Sequence, residues 1–488
     1  MSAPARRSLE FARAAMKGRV LGRGADGEFV GGATDNRTVT PGRLFFALKG
    51  ERVDGFDFCA SAATAGAAAV VVENRRGIPA GCAGIPVIGV DDPRVALADL
   101  ARAVRAGFSG RVVGITGSNG KTTTKEICAA ALDPDAVTLG RPSGAVLRTA
   151  GSFNTEIGMP LTILESSGEE KFWVLEMAMR GLGEIALLAE IARPHVGVVT
   201  NVASAHLGRL GSLEMVAKAK GEIYAGLLPE GIGVVPAGDA LLEAEALVLP
   251  EARKRRFSTV VGRSPADGVA APADVRVIEY LAAGVDGAVL RLGVGDEPVV
   301  VRLPLPGVHN ARNVAAALAV VYALGLPAAP AAAAIARVEL PQHRSRLVRI
   351  GGRLVLDDCY NANPASMAAA LRTVVGMPEA GGRAFAVLGD MGELGGDEKT
   401  LHHDTGALAA QLGVAGVAGV GTLAASYIEG ARAGGVGQTA LFPADDPAGA
   451  AAALGSWTRP GDAILVKASR AMRLERVIEA LDRALPAR

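Results

Sequence analysis

A glycine-rich stretch with one lysine and three threonines, Gly114-Ile-Thr-Gly-Ser-Asn-Gly-Lys-Thr-Thr-Thr-Lys125, carries the side chains best suited to chemistry. It follows the apolar pair Val112-Val113 and precedes Glu126–Leu132, so we predict a turn between a buried strand and a helix. Such a turn exposes backbone N–H groups and the positive end of the helix dipole, which together bind phosphates. Lys121 would reach the β- and γ-phosphates of a nucleotide, and the Thr122 hydroxyl would bind Mg²⁺. Five residues separate Gly114 from Gly120 where the usual phosphate-binding loop has four, so the stretch is a longer variant or an accidental match, and its strand–helix context favours the variant.

Two further residues stand where phosphate chemistry would need metal ligands. Glu176 ends the predicted strand Phe172–Met177 at its carboxyl end, the sheet edge where the glycine-rich loop also lies. His206 follows the predicted strand Val196–Thr200. The residues alone leave two interpretations open, a Mg²⁺ site or a helix-capping glutamate and a hydrogen-bonded loop histidine.

Lys220 and Asn310 each lie on a predicted helix. Lys220 belongs to the helix Leu213–Ala225, close to Lys218 and Glu222, and the residues alone predict a solvated helix face. Asn310 stands at the start of an alanine-rich helix that runs to Leu324. It could cap that helix or contact the edge of a base, and capping is the favoured interpretation.

Three polar loops follow predicted strands in the last third of the chain. They are Asp358–Ser366, Gly389–Gly395 and Lys467–Arg470. Because the carboxyl ends of parallel strands meet at one edge of a sheet, we expect these loops to form one rim that holds a substrate.

The elements that must position these residues alternate between strand and helix, which predicts an α/β fold with mostly parallel, doubly wound sheets. The length of 488 residues suggests about three domains, which we place at 1–108, 109–330 and 338–488. Val285-Asp-Gly287 predicts a hairpin turn, and the proline-containing stretch Leu326–Pro330 predicts a link toward the third domain. In the first domain, the loops around Asp35 and Lys49 could bind a ligand, but ordinary turn chemistry is favoured.

Composition excludes several functional classes. The 51 Lys and Arg residues nearly balance the 50 Asp and Glu residues, which argues against a nucleic-acid partner. The four cysteines form no Cys-x-x-Cys pair, so a zinc site or disulfide framework is not expected. The longest apolar run, Val314–Leu324, is too short for membrane insertion. We therefore expect a cytoplasmic protein.

Taken together, these stretches resemble the Mur ligases of peptidoglycan synthesis. The stretches that carry the resemblance are Gly114–Glu126, Val174-Leu-Glu-Met177, Ala205-His-Leu207, Ala219-Lys-Gly-Glu-Ile223 and His309-Asn-x-x-Asn313. Two later stretches, Asp358–Met367 and Gly389–Gly395, resemble the family members that add D-alanyl-D-alanine. The resemblance extends from Asp35 to Arg470 and so covers nearly the whole chain. Asn36 departs from it, because the family usually has serine there.

The resemblance implies three domains: an N-terminal α/β UDP-binding domain, a central P-loop doubly wound ATPase domain, and a C-terminal Rossmann-like α/β domain that binds the dipeptide. It implies catalytic roles for Lys121, Lys220, His206 and Arg344, with Arg346 as the rival of Arg344. The implied ATP-binding residues are Gly114, Thr116, Gly117, Ser118, Asn119, Gly120, Lys121, Thr122, Thr123, Asn310 and Arg344. The implied Mg²⁺ ligands are Thr122, Glu176, His206 and Lys220, the last as a carbamylated lysine. The implied substrate-binding residues are Asp35, Asn36, Arg37, Lys49, Asn154, Asp358, Asn361, Asn363 and Ser366.

The activity that the resemblance implies is the ATP-dependent ligation of D-alanyl-D-alanine to UDP-N-acetylmuramoyl-tripeptide through an acyl phosphate. ATP and two Mg²⁺ ions are the implied cofactors, and the chain would act as a monomer on small-molecule substrates in cell-wall synthesis, with effects on cell shape and division. The alternative within the family is a ligase that adds a diamino acid. That alternative would be expected to show an Asp-Asn-Pro-Arg stretch in the last domain, where this chain has Tyr360-Asn-Ala-Asn-Pro364.

Overall fold

The structure is a computed structural model that describes residues 3–22, 24–203, 207–258, 260–261, 272–282, 284–392, 394–437 and 440–485. The chain folds into two compact units. The first unit consists of Met1–Thr116, Thr138–Val198 and Glu222–Gly233, and the second of Gly117–Val137, Val199–Gly221 and Val234–Arg488. This division reflects compactness alone, and the three predicted domains, 1–108, 109–330 and 338–488, stay a prediction.

The amino-terminal part of the first unit is a mostly parallel sheet with helices. Its elements are β1 (Arg7–Ser8), α1 (Leu9–Ala15), β2 (Arg19–Val20), β3 (Glu28–Phe29), β4 (Gly32–Ala33), β5 (Leu44–Phe46), α2 (Cys59–Thr64), β6 (Ala69–Glu73), β7 (Val87–Val90) and α3 (Pro93–Ala106). The sheet order is β2-β7-β6-β5-β4, parallel from β4 to β7, with β2 antiparallel at the edge. The Ser8 hydroxyl caps α1, because it accepts a hydrogen bond from the Phe11 N–H at 3.1 Å.

Strands and helices continue to alternate in the middle of the chain, whose strands are divided between the two units. The elements are β8 (Arg111–Thr116), α4 (Lys121–Ala131), α5 (Asp135–Leu139), β9 (Val146–Arg148), α6 (Gly158–Leu164), β10 (Phe172–Glu176), α7 (Glu184–Ala192), β11 (Val196–Val199), α8 (Leu207–Leu210), α9 (Leu213–Ala225), β12 (Ile232–Pro236) and α10 (Ala240–Glu245). In the first unit, β10 pairs in parallel with both β8 and β9. Val112, Val113, Val174 and Leu175 are fully buried there, as expected of parallel strands covered on both faces. The predicted α/β organisation is confirmed.

The second unit continues with an antiparallel meander followed by two helices. The elements are β13 (Lys254–Phe257), β14 (Val275–Ala282), β15 (Ala288–Val294), β16 (Glu297–Leu303), α11 (Val308–Ala323) and α12 (Ala328–Ile335). The hairpin predicted around Asp286-Gly287 is confirmed, since β14 and β15 pair antiparallel on either side of it. The predicted link Leu326–Pro330 is wrong beyond Pro327, because α12 begins at Ala328. Pro330 lies in the first turn of α12, where the missing N–H of proline has no intrahelical partner to lose.

The carboxy-terminal part of the second unit is a separate six-stranded sheet. Its elements are β17 (Arg346–Ile350), β18 (Arg353–Asp358), α13 (Pro364–Val374), β19 (Ala384–Gly389), α14 (Glu398–Gln411), β20 (Gly416–Val420), α15 (Ala424–Ala433), β21 (Leu441–Ala444), α16 (Pro447–Trp457), β22 (Ala463–Lys467) and α17 (Glu475–Ala484). The order is β17-β18-β22-β19-β20-β21, parallel except for β17 at one edge.

Two hydrophobic cores cover the faces of this sheet. Alternate residues of each strand enter opposite cores, as Leu356 and Val355 do. Because β18, β22 and β19 are parallel neighbours, the three polar loops that follow them share one edge. The predicted common rim is therefore confirmed.

Among the helices of the described residues, none has the length and apolar character that crossing a membrane requires.

Candidate active site

The glycine-rich loop connects the end of β8 to the start of α4, as predicted. Gly117 and Gly120 have positive φ values of 146° and 78°. A Cβ atom at Gly117 would lie 1.9 Å from the Thr200 hydroxyl oxygen, and one at Gly120 would lie 2.4 Å from Asn313 Oδ1. Both positions therefore require glycine.

The segment Thr200–Ala203 supports this loop from one side. The N–H of Ser118 donates to the Asn201 carbonyl at 3.0 Å, and the N–H of Asn119 donates to Asn201 Oδ1 at 3.0 Å. The Thr200 hydroxyl donates to the Asn119 carbonyl at 2.6 Å. Thr200 and Asn201 were not predicted as site residues, and the sequence signal for them is only their place directly after the strand β11.

Lys121 and Thr122 occupy the first turn of α4. Lys121 Nζ donates to the carbonyl oxygens of Gly117 and Ser118 at 2.8 and 3.3 Å, so the ammonium lies over the loop. Thr122 is buried, and Thr123 is half-buried.

At the end of β8, Thr116 is fully buried, and its hydroxyl has no hydrogen-bond partner among the described residues. An unsatisfied buried hydroxyl next to the loop fits a site whose ligand supplies the missing bond.

Lys220 lies on α9 and is 1% exposed, so the interpretation of a solvated helix face is wrong for it. Lys218, two residues earlier, is exposed. Residues two apart on a helix point in nearly opposite directions, so only one of the two lysines can face solvent. Burial, together with the charge of Lys121, holds the pKa of Lys220 well below the ordinary lysine value. A buried amine that loses its proton readily can react as a nucleophile or bind an ion.

Glu176 and Asn154 form a buried pair in the first unit. Glu176 is 1% exposed and ends β10, so it caps no helix, contrary to one of the two sequence interpretations. Asn154 Nδ2 donates to Glu176 Oε1 at 2.8 Å. The Glu176 N–H donates to the Thr149 hydroxyl at 2.9 Å, which fixes the end of the strand.

His206, the other predicted metal ligand, lies outside the described residues. Within the described part of the chain, no group of three or more His, Cys, Asp or Glu side chains is arranged to hold a metal ion.

Asn310 is the third residue of α11 and does not cap it, because the N-cap is Gly307. Asn310 Nδ2 donates to the Pro306 carbonyl at 2.7 Å, and its Oδ1 accepts from Asn313 Nδ2 at 2.9 Å. Asn313 Oδ1 in turn accepts from the Thr124 hydroxyl at 3.3 Å. The two asparagines therefore join the start of α11 to α4, the helix that follows the glycine-rich loop.

Asp358 and Lys467 form a buried ion pair at the rim of the carboxy-terminal sheet. Their side chains are 19% and 3% exposed. Lys467 Nζ contacts Asp358 Oδ2 and donates to the Asn361 carbonyl at 2.8 Å. Burial alone would raise the pKa of Asp358, but the charge and hydrogen bond of Lys467 and the Ser345 N–H hold it below the ordinary value. The pair thus fixes the loop that begins at Asp358.

Asn363 and Ser366 begin α13 with a capping box. Asn363 Oδ1 accepts from the Ser366 N–H at 2.9 Å, and the Asn363 N–H donates to the Ser366 hydroxyl at 3.0 Å. The free end of the same amide, Asn363 Nδ2, donates to Asn119 Oδ1 at 2.7 Å. The structure therefore brings the predicted acceptor loop and the glycine-rich loop into direct contact within the second unit.

Arg344 lies between two residues with left-handed backbone conformation. His343 and Ser345 have φ values of 65° and 47°. The end of β18 holds this turn: His343 Nδ1 lies 2.9 Å from Asp357 Oδ2, and the Ser345 N–H donates to Asp358 Oδ1 at 3.0 Å. The Arg344 guanidinium stacks 3.8 Å from the centre of the Tyr360 ring. Its rival Arg346 is an exposed residue of the edge strand β17.

The predicted ligand loops of the first unit are compact turns. Asp35 Oδ1 accepts from the Arg37 N–H at 2.9 Å, and the two side chains form an ion pair at 2.6 Å. Asn36 Nδ2 donates to the Ser61 hydroxyl at 3.1 Å. Lys49 is exposed and pairs through its backbone with Asp54. This is the turn chemistry that the residues alone favoured, and a substrate role for these four residues stays a prediction.

Three family models match the chain. They are the Mur ligase family, catalytic domain, at residues 29–105, the Mur ligase middle domain at 115–321, and the Mur ligase, glutamate ligase domain, at 343–470. A relative from Mycobacterium tuberculosis, strain ATCC 25618 / H37Rv, named UDP-N-acetylmuramoyl-tripeptide–D-alanyl-D-alanine ligase, is 39% identical, and the match covers 92% of this chain and 91% of the relative.

Solved structures agree with these matches. MurF from Acinetobacter baumannii superposes with a TM-score of 0.84 at 29% identity and covers 99% of this chain and 100% of its own. MurF ligase from Thermotoga maritima, solved in complex with ADP, gives a TM-score of 0.78 at 30% identity over 93% and 98% of the two chains. A 2,6-diaminopimelate-adding ligase reaches only 0.51 at 18% identity, over 94% of this chain and 95% of its own, a likeness of fold alone.

Proposed function

Because this chain belongs to the Mur ligase family, we propose that it joins D-alanyl-D-alanine to UDP-N-acetylmuramoyl-tripeptide and converts ATP to ADP and phosphate. The observation that carries this proposal is the hydrogen bond between Asn363 and Asn119, since it joins a loop typical of dipeptide-adding members to the phosphate-binding loop. The diamino-acid-adding alternative is not favoured, because the likeness to such a ligase is one of fold only.

The reaction proceeds through activation of a carboxylate. An oxygen of the terminal carboxylate of the tripeptide bonds to the γ-phosphorus of ATP, and the bond between that phosphorus and the β–γ bridging oxygen breaks. The amine of D-alanyl-D-alanine then bonds to the acyl carbon, the bond to the phosphate oxygen breaks, and the amine loses a proton to solvent. Negative charge collects on the transferred phosphoryl group, so cationic groups near it lower the barrier.

The phosphates of ATP are assigned to the loop Gly114–Gly120 with Lys121, Thr122 and Thr123. The glycine positions that exclude a Cβ atom, the ammonium held over the loop and the unsatisfied Thr116 hydroxyl all fit a phosphate chain. Asn310 is assigned to the adenine. Arg344 is favoured over Arg346 for the phosphates, because its turn is anchored to Asp357 and Asp358.

Thr122, Glu176, His206 and Lys220 are the proposed Mg²⁺ ligands, with Lys220 carbamylated. Carboxylate, hydroxyl and carbamate oxygens are ligands that Mg²⁺ prefers. When bound, Mg²⁺ ions would offset charge on the phosphates.

The remaining predicted residues are assigned to the other substrates. Asp35, Asn36, Arg37, Lys49 and Asn154 are proposed for UDP-N-acetylmuramoyl-tripeptide. Asp358, Asn361, Asn363 and Ser366 are proposed for the dipeptide side. We further propose that the chain acts as a cytoplasmic monomer.

Substitution of Gly117 by alanine is expected to weaken ADP binding at least about tenfold. The new Cβ would overlap the Thr200 hydroxyl, and positive φ adds strain of about 1–3 kcal/mol for a residue other than glycine. Calorimetric titration with ADP measures the loss. Gly455→Ala is the control, because Gly455 lies within the helix α16 and, apart from the adjoining residues of that helix, nothing lies within 4 Å of the added Cβ. Unchanged affinity in Gly117→Ala would contradict the assignment of the loop.

The amine that the enzyme accepts distinguishes the proposed ligase from the diamino-acid-adding alternative. We expect phosphate release from ATP with UDP-N-acetylmuramoyl-tripeptide to depend on D-alanyl-D-alanine, with product confirmed by mass spectrometry. A diamino acid, offered with UDP-N-acetylmuramoyl-dipeptide, should give no release. Activity with the diamino acid alone would overturn the proposal in favour of the alternative ligase.

A further inference from the structure

A cavity of about 370 Å³ lies in the second unit, and Pro306 and His309 of its lining adjoin Asn310. Its walls come from three segments: the β14–β15 hairpin, the first residues of α11, and the second half of α13. The side chains of Tyr280, His309, Arg312, Arg372 and Met377 are among those that line it.

The charge of this cavity is positive and uncompensated. Arg312 and Arg372 both line it, no acidic residue does, and neither arginine has a hydrogen bond or ion pair within the described chain. Partial burial of its charged end, and then the charge of Arg372, lower the pKa of Arg312. Both arginines are exposed as whole residues, so an anion can reach them from solvent. Two like charges facing one space favour an anion between them.

His309 adds no positive charge at neutral pH. Burial is the main reason that the pKa of His309 is lowered to about 4, and the nearby Lys467 and Arg312 lower it further, against the opposing effect of Asp358. Tyr280 contributes a donor, because its hydroxyl oxygen already accepts from the Gly307 N–H at 2.9 Å and its own hydrogen remains for a ligand.

The rest of the lining is mostly apolar and shapes the preferred ligand. Ala282, Val308, Ala369 and Met377 supply aliphatic surface beside the two guanidinium groups. A ligand with a charged head and an apolar body would satisfy both parts of the lining.

We propose that this cavity binds an organic anion, a phosphate or carboxylate head held between Arg312 and Arg372 with an apolar body against Ala369 and Met377. Guanidinium groups pair with either head through two parallel hydrogen bonds. The ligand contacts segments on both sides of α12 in the chain, so its binding would also hold those segments together.

The two arginines of the proposed site lie apart from the phosphate-binding loop, while the Pro306 side of the cavity adjoins Asn310, which is assigned to the adenine. Asn363, at the N-cap of α13, contacts the phosphate-binding loop, whereas Arg372 lies nine residues farther along the same helix. At a rise of about 1.5 Å per residue, that places the two ends roughly 13 Å apart along the helix.

The test uses the full-length protein with ADP at saturating concentration, so that the nucleotide site is filled. Phenyl phosphate, benzoate and the neutral benzyl alcohol are titrated by calorimetry at matched ionic strength. We expect at least one of the two anions to bind and the alcohol to bind at least tenfold more weakly. The two anions distinguish a phosphate from a carboxylate head, and binding of either supports the site.

The variants Arg312→Gln and Arg372→Gln should each weaken anion binding at least tenfold, whereas Arg302→Gln should not. Arg302 is an exposed arginine of β16 that does not line the cavity. Thermal unfolding without ligand checks that each variant is folded. Equal affinity of wild type and both cavity variants, equal binding of the alcohol, or no binding of either anion to wild type would overturn the proposal. ATP-dependent ligation is measured separately, so failure of this site leaves the proposed function standing.

Discussion

Replacement of Lys220 by alanine should lower the rate of ligation by at least about 10²–10³-fold, the usual effect of removing a group that stabilises transition-state charge. Lys220 is almost fully buried, and its pKa is depressed by burial and by Lys121. A lysine in that environment gives up its proton more readily than an exposed lysine, and the resulting uncharged amine can add to CO₂ with formation of an N–C bond and loss of a proton. The product is an anionic carbamate, suited to Mg²⁺.

Lys218→Ala is the matched control, because Lys218 lies on the same helix two residues away but is exposed. We expect it to keep nearly full activity. Added formate or acetate should partly restore Lys220→Ala by supplying the missing carboxylate, and should not affect Lys218→Ala. Labelling with ¹³CO₂ should give a carbamate signal in the wild type that Lys220→Ala lacks. Full activity of Lys220→Ala would show that the lysine has no part in the reaction.

Replacement of Lys467 by methionine should destabilise the carboxy-terminal sheet by about 3 kcal/mol, because it leaves the charge of Asp358 buried without its partner. Methionine keeps most of the apolar volume of the lysine side chain. The fall in the free energy of unfolding therefore measures the effect of removing the lysine charge. Urea unfolding followed by fluorescence measures it, with Trp457 as the only tryptophan in a Trp173→Phe background. Lys399→Met, at an exposed position of α14, should change the stability by less than about 0.5 kcal/mol.

The effect of Lys467→Met should shrink in acid. The pKa of Asp358 is lower in the folded protein than in the unfolded chain, so its ionised form contributes stability above about pH 4, and this contribution is lost as the pH falls through the folded pKa. In the variant, Asp358 is buried without the charge of Lys467, and burial then favours the protonated form of its carboxyl group. The difference in free energy of unfolding between wild type and variant should therefore be smaller at pH 4 than at pH 7. An equal difference at both pH values would mean that the ion pair is not its source.

Local elements were predictable where local sequence determines them. The helix α3, Pro93–Ala106, is of this kind, because Asp92 and Pro93 mark its start and its apolar residues recur at helical spacing. The buried strands were predictable as well, because a parallel strand that is covered on both faces is a short run of apolar residues. The link at Leu326–Pro330 was mispredicted because proline reads as a helix breaker, although it is tolerated in a first turn such as that of α12.

The candidate site was predictable only in part, because tertiary packing decides the rest. The glycine-rich loop depends on residues adjacent in sequence, and it was found. The burial of Lys220 depends on what packs against α9, and the residues alone suggested the opposite. The contact between Asn363 and Asn119 joins positions 244 residues apart, and no local spacing records it. The arginine-lined cavity likewise combines three segments that are distant in sequence.

The single amide of Asn363 makes the two loops thermodynamically linked. Its oxygen accepts from the Ser366 N–H at the start of α13, and its nitrogen donates to Asn119. Rotation of the amide that changes one of these hydrogen bonds therefore changes the other. A ligand that moves Asn119 therefore changes the stability of the first turn of α13. Linkage is reciprocal, so a molecule that stabilises that turn changes the affinity of the phosphate-binding loop by the same factor. Under the proposed assignment of the two loops, this one side chain couples the binding of the nucleotide to the binding of the dipeptide before any bond is made.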